Sequence, residues 1–339
     1  MRINIFTLSG YFNYGNRLQL FVLNRVLENM IGRKAKIKAY RKKRLRSRFK
    51  DFVEYRTPLK IKFQKESKLY RFTKKCIVSE TNNAKCDYAV FGSDQIWNPD
   101  FFKNKPWLLG DGVDGRKIAY AASIGRDELS KEQLKMFEQK LKSFKAISVR
   151  EKAAQKLLQP LTNKPVEVVL DPTLLLDAKE YEILEKKPKN ITEGEKYILC
   201  YILGEREYIK AIENFAQEHN CRIILFSDQK ESSYGVEEFL YLIHHAELIC
   251  TDSFHACVFS FIFERPFVAF RRSGKHNDMY SRLQNLIDTF KLKNREFNGK
   301  EITKENLTVD YTEAKKILMK ERQKSLEFLT KALGVKNES

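Results

Sequence analysis

One histidine of the sequence stands at a junction suited to acid–base chemistry on an anion. The apolar run Leu248–Cys250 predicts a buried strand, and the polar turn Thr251–Ser253 leads from it into an apolar segment that predicts a helix. His255 falls in the first turn of that helix, where free backbone N–H groups favour phosphate or carboxylate. An imidazole titrates near neutral pH and can transfer protons there. The alternative is that Asp252 or Ser253 only caps the helix and that His255 is an interior histidine.

Other charged residues follow apolar runs in the same way. Arg150 ends one predicted strand, and Arg271 and Arg272 end another. An arginine in such a place can clamp a carboxylate or a phosphate through two hydrogen bonds. Arg150 can equally form an ion pair with its neighbour Glu151. Asp94, in a glycine-containing turn, can orient a hydroxyl or only cap a short helix.

The elements that would position these side chains alternate between strand and helix. Predicted strands lie at 2–8, 87–91, 117–122, 146–149 and 166–170, and the pattern restarts with strands at 197–203, 222–226, 248–250 and 267–270. Polar residues collect after the strands, which is typical of parallel sheets with a site along the carboxyl edge. A length of 339 residues fits two domains. The prediction is an α/β fold with an N-terminal domain at 1–176, a C-terminal domain at 177–310, and a helix at 311–339 that packs back on the N-terminal domain.

Positive charge is concentrated in one window of the sequence. The chain carries a formal charge of +19, and residues 33–75 contain 19 Lys or Arg against three acids. The centre of this window, 41–53, predicts a helix with few apolar positions. One interpretation is a surface for anionic membrane headgroups or a diphosphate-linked substrate, and the other is a solvated helical face. No nucleic-acid-binding motif is present, so nucleic acid is not an expected partner.

Composition also indicates the cellular compartment in which the protein functions. The sequence has no apolar run long enough for a membrane-spanning helix, and its N-terminus runs into a predicted strand without a signal-peptide layout. The six cysteines are scattered, and Cys200, Cys250 and Cys257 lie in apolar runs typical of core positions. We therefore expect a cytoplasmic protein, peripheral on the inner face of the cell membrane if the basic window binds lipid. We expect no metal site.

Six short segments, taken in order, resemble the motifs of one protein family. They are Asn13-Tyr14-Gly15-Asn16-Arg17-Leu18-Gln19, Phe91-Gly92-Ser93-Asp94-Gln95-Ile96-Trp97-Asn98, Tyr120-Ala121-Ala122-Ser123-Ile124-Gly125, Ser148-Val149-Arg150-Glu151, Asp171-Pro172-Thr173-Leu174-Leu175 and Thr251-Asp252-Ser253-Phe254-His255. Over residues 2 to 290 the sequence is similar to the polysaccharide pyruvyl transferases. The second and last of these segments are the most specific. The chain departs from the family pattern at Ala256, where the family usually has glycine, and at Gly235-Val236, where Gly-Pro is common.

The resemblance implies a fold and an activity. The fold would be two Rossmann-like domains in series, similar to the nucleotide-sugar glycosyltransferases with twin domains. The donor would be phosphoenolpyruvate, bound on the C-terminal side, with no cofactor. The acceptor would be a lipid-linked or nucleotide-linked sugar, bound on the N-terminal side, and the product a pyruvate ketal bridging two hydroxyls.

The resemblance also implies roles for individual residues. His255 would be the catalytic acid and base. The donor-binding residues would be Arg150, Ser253, Phe254 and Arg271. The acceptor-binding residues would be Asn13, Tyr14, Asn16, Asp94, Gln95 and Trp97.

Two other functions remain open on the sequence. A glycosyltransferase of the same two-domain build would bind a nucleoside diphosphate instead of phosphoenolpyruvate. A non-catalytic basic binding protein would owe its affinity to residues 33–75 and would be insensitive to substitution of His255.

Overall fold

The computed structural model describes residues 1–8, 10–11, 13–32, 36–40, 64–77, 80–102, 105–205, 208–226, 234–272 and 280–335. The helix predicted at 41–53 lies outside the described residues. The chain divides into two compact units. The first takes its described residues from Met1–Val53, Thr73–Leu175 and Met319–Ser339, and the second from Glu54–Phe72 and Leu176–Leu318.

The described part of the first unit is built on a parallel sheet of seven strands. They are β1 (Arg2–Phe6), β2 (Lys36–Tyr40), β3 (Glu80–Thr81), β4 (Tyr88–Phe91), β5 (Arg116–Ala122), β6 (Phe144–Val149) and β7 (Val166–Val168). Their order in the sheet is β3-β2-β1-β4-β5-β6-β7. The helices are α1 (Tyr14–Ile31), α2 (Gln64–Cys76, of which Thr73 onward belongs to this unit), α3 (Pro99–Phe102), α4 (Lys131–Leu141) and α5 (Lys152–Leu158).

The central strand β4 is apolar throughout, as expected where helices cover both faces of a parallel sheet. Every residue of β4 is buried, and its Phe91 stacks on Phe6 of β1 with ring centroids 4.8 Å apart. Trp97 is fully buried and meets the rings of Phe137 and Phe144 edge to face, at 5.8 and 5.6 Å. These aromatic contacts form the core beneath α4.

The second unit repeats the plan on a smaller scale. Its described strands are β8 (Tyr197–Tyr201), β9 (Arg222–Leu225), β10 (Leu248–Thr251) and β11 (Phe267–Ala269), parallel and in the order β11-β10-β8-β9. Its helices are α6 (Ala178–Glu182), α7 (Ile209–Glu218), α8 (Val236–His244), α9 (Phe254–Ile262) and α10 (Tyr280–Phe290). All residues of α9 are buried, which fits its apolar sequence. Cys200, Cys250 and Cys257 are core residues, as predicted.

The last helix, α11 (Thr312–Leu333), contributes residues to both units. Within the second unit, the Tyr311 hydroxyl just before it donates to the carbonyl of Arg265 at 2.8 Å. Within the first unit, the Leu170 amide donates to Oγ of Ser325 at 3.0 Å, and Lys145 donates to the carbonyl of Ala332 at 2.7 Å. The C-terminal part of α11 is therefore an integral part of the first unit.

No helix in the described part of the chain is long and apolar enough to cross a bilayer.

Gly92, at the end of β4, admits no side chain. A Cβ placed there would lie 1.8 Å from the carbonyl oxygen of Tyr120, which is fully buried in the adjacent strand. Because the obstacle is backbone, Gly92→Ala is expected to destabilise the protein by about 3 kcal/mol or more, measured by urea unfolding. The matched control is Gly194→Ala, which has a positive φ but open space around it; it should cost only about 1 kcal/mol. Equal losses for the two variants would contradict the steric argument.

Candidate functional site

The carboxyl ends of three adjacent strands in the first unit bring polar side chains together. Strands β4, β5 and β6 are neighbours in the sheet, and they lead into residues 92–95, 123–125 and 150–151. Ligands of open parallel sheets bind at this edge because the loops there carry polar groups that the strands hold in place.

Arg150 lies at the centre of this edge and is held by two carboxylates. Its Nη1 lies 2.6 Å from Oδ2 of Asp171, and its Nε lies 3.4 Å from Oε1 of Glu151. The Arg150 side chain is 3% exposed and that of Asp171 is 0% exposed. The sequence allowed either an ion pair with Glu151 or a clamp on a ligand, and the ion pair is present together with a shorter one to Asp171.

Hydroxyl groups donate further hydrogen bonds to these two carboxylates. Asp171 accepts from Oγ of Ser93 at 3.0 Å and from Oγ1 of Thr173 at 2.6 Å. Glu151 accepts from Oγ of Ser123. The segments after β4, β5, β6 and β7 are thus tied into one buried polar network, which we call the Arg150 network (Ser93, Ser123, Arg150, Glu151 and Asp171).

Electrostatics in the Arg150 network favour the ionised pair. Burial alone would lower the pKa of Arg150, but the carboxylates of Asp171, Glu151 and Asp94 outweigh it and raise that pKa above its ordinary value. Burial, and then the charge of Asp171, raises the pKa of Tyr120 well above its usual range, so this phenol stays neutral. Its hydroxyl donates to the carbonyl of Leu170 at 3.0 Å.

Several of the predicted acceptor-binding residues meet beside this network. Asn13 is the N-cap of α1, and its side chain accepts from the Asn16 amide at 2.9 Å. Asn16 in turn donates to Oδ2 of Asp94 at 3.4 Å and accepts from Nε of Arg17 at 3.2 Å. Asp94 has a φ of 59°, a left-handed conformation that aspartate tolerates better than most side chains. The start of α1 and the turn after β4 therefore form one polar surface.

The other predicted acceptor residues differ in their surroundings. Gln95 is buried and lies against Gly125, where a Cβ would come within 2.9 Å of its Cδ. Tyr14 is buried in the first turn of α1. Trp97 sits in the aromatic core, and its indole N–H donates to the carbonyl of Leu108 at 3.2 Å. The structure brings Asn13, Asn16 and Asp94 into contact, whereas Trp97 packs away from them in the interior.

In the second unit, β10 leads through a tight polar turn into α9. Oγ1 of Thr251 donates to the carbonyl of Tyr201 at 2.6 Å and accepts from the Ser253 amide at 3.0 Å. Ser253 is the N-cap residue of α9, and its side chain makes no capping hydrogen bond. His255 occupies the first turn as predicted, is 7% exposed, and meets the ring of Phe254 edge to face at 5.2 Å.

Asp252 fixes the loops around this turn. Its two carboxylate oxygens accept from the amides of Leu203 and Gly204, each at 2.8 Å, and Oδ2 also accepts from Nε of Arg272 at 3.0 Å. A buried carboxylate with three such donors is strongly held. Asp252 therefore joins the ends of β8, β10 and β11 rather than capping α9 through its side chain.

Arg271 has a different environment from its neighbour. It is exposed, and its guanidinium lies over the ring of Tyr280 at 4.6 Å from the centroid. Burial, followed by the hydrogen bond to Glu296, raises the pKa of Tyr280 above its ordinary value. The Arg271 guanidinium is thus exposed to solvent and lies on an aromatic ring, whereas Arg272 forms an ion pair with Asp252.

Sequence reasoning left some residues of these surfaces unassigned. Gln19 accepts from the Ser93 amide at 2.9 Å and donates to Oγ1 of Thr7 at 2.8 Å, which ties α1 to the ends of β1 and β4. Arg17 is buried and donates to the carbonyl of Leu8 at 2.9 Å. The signal for Asp171 was its place directly after a predicted strand, the same signal that drew attention to Arg150.

A family model described as polysaccharide pyruvyl transferase matches residues 13–274 of the chain. That span includes the Arg150 network, the turn at Asp94 and the start of α9. A search of curated protein sequences gives no significant match.

Solved structures of low sequence identity align with nearly the whole chain. The UDP-GlcNAc 2-epimerase of Neisseria meningitidis, bound to UDP-GlcNAc, aligns with a TM-score of 0.50 at 11% identity over 98% of this chain and 99% of its own. A UDP-GlcNAc 2-epimerase of Methanocaldococcus jannaschii aligns at 0.48, with 14% identity over 95% and 92% of the two chains. MnaA of S. aureus in a co-structure with UDP also aligns at 0.48, with 13% identity over 100% and 98%. The predicted architecture of two Rossmann-like α/β domains, similar to the twin-domain nucleotide-sugar enzymes, is confirmed.

Proposed function

The chain belongs to the polysaccharide pyruvyl transferase family, and from this premise we propose that it moves pyruvate from phosphoenolpyruvate to two hydroxyls of a sugar in a glycan precursor, forming a ketal. Membership makes the chain a transferase that acts on saccharides. The identity of the donor and the ketal product are the parts that this proposal adds.

The observation that carries the proposal is the family match across both units, with His255 in the first turn of α9. Ketal formation from phosphoenolpyruvate requires three events. The enol carbon gains a proton, two sugar hydroxyls add to the adjacent carbon and lose their protons, and the C–O bond to phosphate breaks. A histidine can transfer these protons near neutral pH, and a helix N-terminus stabilises phosphate or carboxylate.

Donor binding is assigned to cations and to the start of α9. Ser253 and Phe254 begin this helix, whose N-terminus favours an anionic oxygen; the Ser253 amide already donates to Thr251, so Ser253 would contribute its hydroxyl. Arg271 is an exposed cation after β11. Arg150 stays in the proposal as a donor-binding residue, and its ion pairs with Asp171 and Glu151 would fix the orientation of the guanidinium.

Acceptor binding is assigned to the polar surface at the start of α1. Asn13, Asn16 and Asp94 offer amide and carboxylate groups of the kind that bind sugar hydroxyls. Gln95 and Tyr14 are buried beside them, and Trp97 would support this surface from the core. The acceptor sugar would be lipid-linked or nucleotide-linked, and the basic window at 33–75 would hold the enzyme at an anionic membrane surface.

The test is a search for phosphate release from phosphoenolpyruvate that depends on a saccharide. The full chain would be incubated with phosphoenolpyruvate and a panel of lipid-linked and nucleotide-linked sugars, and products would be analysed by mass spectrometry. The expected result is a saccharide heavier by one pyruvate ketal, with one phosphate released for each pyruvate transferred. A control variant, His219→Ala, removes a histidine at the end of α7, outside the proposed site, and should react at the wild-type rate.

Binding measurements separate this proposal from its nearest alternative. Phosphoenolpyruvate and a series of nucleoside diphosphates would be titrated into the protein by calorimetry, with and without the panel saccharides. Saturable binding of phosphoenolpyruvate supports pyruvyl transfer. Binding of a nucleoside diphosphate alone, with no phosphoenolpyruvate turnover on any acceptor, would overturn it in favour of glycosyl transfer.

A further inference from the structure

Two histidines and a glutamate converge at the C-terminal end of α8. Nδ1 of His244 lies 2.7 Å from Oε1 of Glu185, and Nε2 of His245 lies 3.2 Å from Oε2 of the same carboxylate. One nitrogen from each ring and a carboxylate oxygen all lie within 4.8 Å of one another. We infer that this cluster, the Glu185 cluster (Glu185, His244 and His245), is a binding site for a transition-metal dication of the Zn²⁺ class.

The end of the helix is what allows consecutive histidines to converge. Inside an α-helix, neighbouring residues point in different directions. Here the regular helix ends at His244, and His245 is its C-cap, with φ −105° and ψ 5°. The two rings come to 4.7 Å between centroids and address the same carboxylate.

The rings are also held in place by aromatic neighbours. His244 stacks on Phe263 with centroids 4.5 Å apart, and His245 stacks on Tyr241 at 4.1 Å. Glu185 is held by its backbone, whose amide donates to the carbonyl of Glu182 at 3.0 Å. Ordered donor groups lose little conformational freedom when a metal binds, so the cluster is close to preorganised.

The donor set indicates which ions fit. Two imidazole nitrogens and one carboxylate oxygen suit Zn²⁺ and its neighbours in the transition series, whereas Mg²⁺ and Ca²⁺ prefer oxygen ligands. Ligands bind Zn²⁺ at roughly 2.0–2.2 Å, and the three ligand atoms, which lie within 4.8 Å of one another, would need only small shifts to surround one ion. Water would complete the coordination, because the His245 side chain is 43% exposed. The partial negative charge at a helix C-terminus also favours a cation.

The place of the cluster in the fold indicates a structural ion. His244 packs against Phe263, directly after α9, while His255 lies in the first turn of that helix. Eight residues of helix separate the two ends by about 12 Å. The metal would join the segment after α6 to the end of α8, and the proposed acid–base residue would stay outside its coordination sphere. The inference therefore does not depend on the proposed transfer reaction.

The experiment measures metal binding by the full chain, purified without a histidine tag and freed of metal by a chelator. Zn²⁺ would be titrated by calorimetry, and Co²⁺ would be followed by its d–d absorption. We expect one site per chain, without the sulfur-to-cobalt charge-transfer band that cysteine ligands give. Glu185→Gln and His245→Ala should each weaken Zn²⁺ binding roughly tenfold or more.

His219→Ala is the matched control, because His219 also ends a helix and stacks on an aromatic ring, that of Phe215 at 4.0 Å. It should bind Zn²⁺ like the wild type. Thermal unfolding gives a second readout: Zn²⁺ should raise the melting temperature of the wild type and of His219→Ala, but not of Glu185→Gln. Wild-type protein that binds no Zn²⁺, or Glu185→Gln with unchanged Zn²⁺ affinity, would overturn the inference.

Discussion

Replacing His255 with glutamine is expected to lower the rate of pyruvyl transfer roughly 10²–10⁴-fold, the range that a general acid or base contributes. Glutamine fills a similar volume and keeps hydrogen-bonding groups, but it cannot exchange a proton near neutral pH. His255 is buried in the first turn of α9, against the ring of Phe254, so a similar volume matters for folding. The measurement is the steady-state rate of phosphate release at saturating phosphoenolpyruvate and acceptor.

Folding and catalysis must be separated in this comparison. Urea unfolding of His255→Gln should give a free energy of unfolding close to that of the wild type. The turnover of His219→Ala should match the wild type, because that histidine lies at the end of α7. Near-normal turnover by His255→Gln would remove His255 from the mechanism, whatever the family resemblance implies.

Replacing Asp171 with alanine is expected to destabilise the protein by about 3–5 kcal/mol, because it leaves the guanidinium of Arg150 buried without its nearest carboxylate. The pair is 2.6 Å apart, and both side chains are almost fully buried. The hydroxyl of Thr173 would lose its carboxylate acceptor as well, whereas that of Ser93 would keep the carbonyl of Ala121. The measurement is the free energy of unfolding in urea.

An exposed ion pair of the same unit provides the control. Arg2 and Asp87 are 3.3 Å apart, with side chains 61% and 45% exposed. Solvent screens such a pair, so Asp87→Ala should lower the free energy of unfolding far less than Asp171→Ala does. If Asp171→Ala and Asp87→Ala lower the free energy of unfolding equally, burial of the Arg150 network does not stabilise the first unit.

The Arg150 network also changes how a binding experiment should be designed. Loss of phosphoenolpyruvate binding in Arg150→Ala has two causes, a missing ligand contact and a damaged fold, since Asp171 would be left buried without its cation. Arg271→Ala avoids this ambiguity, because Arg271 is exposed and its cation rests on the ring of Tyr280. Arg271→Ala is therefore the cleaner variant for testing donor affinity.

The sequence predicted the alternation of strands and helices well, because its signals are local. The helix predicted at 311–339 is present as α11, which spans Thr312–Leu333. The strand predicted at 146–149 begins two residues earlier, with β6 at Phe144, shortly after α4 ends at Leu141. An apolar residue at that point fits a helical and a strand period equally, so the pattern could not place the boundary.

The candidate site was only partly predictable, because its contacts join distant positions. Placing Arg150 at the end of a strand needed only local pattern, but its pairing with Asp171, 21 residues away, depends on β6 and β7 being neighbours in the sheet. Trp97 shows that a local motif can also suggest the wrong environment for a side chain. Its motif suggested a surface role, whereas the apolar rings of Phe137 and Phe144 hold it in the core. Nothing local distinguishes the two roles.

Because part of the first unit follows most of the second unit in the sequence, the order of synthesis differs from the order of assembly. The first unit includes residues from Met319 onward, and Leu170 relies on Ser325 for a hydrogen-bond partner. At roughly 5–20 residues per second on the ribosome, the part of the first unit that ends at Leu175 waits about 8–30 seconds for the C-terminal part of α11. During that time residues Leu176–Leu318 of the second unit are translated. In a nascent chain, the core of the first unit therefore stays partly exposed for the longest time. A chaperone would bind at that exposed surface.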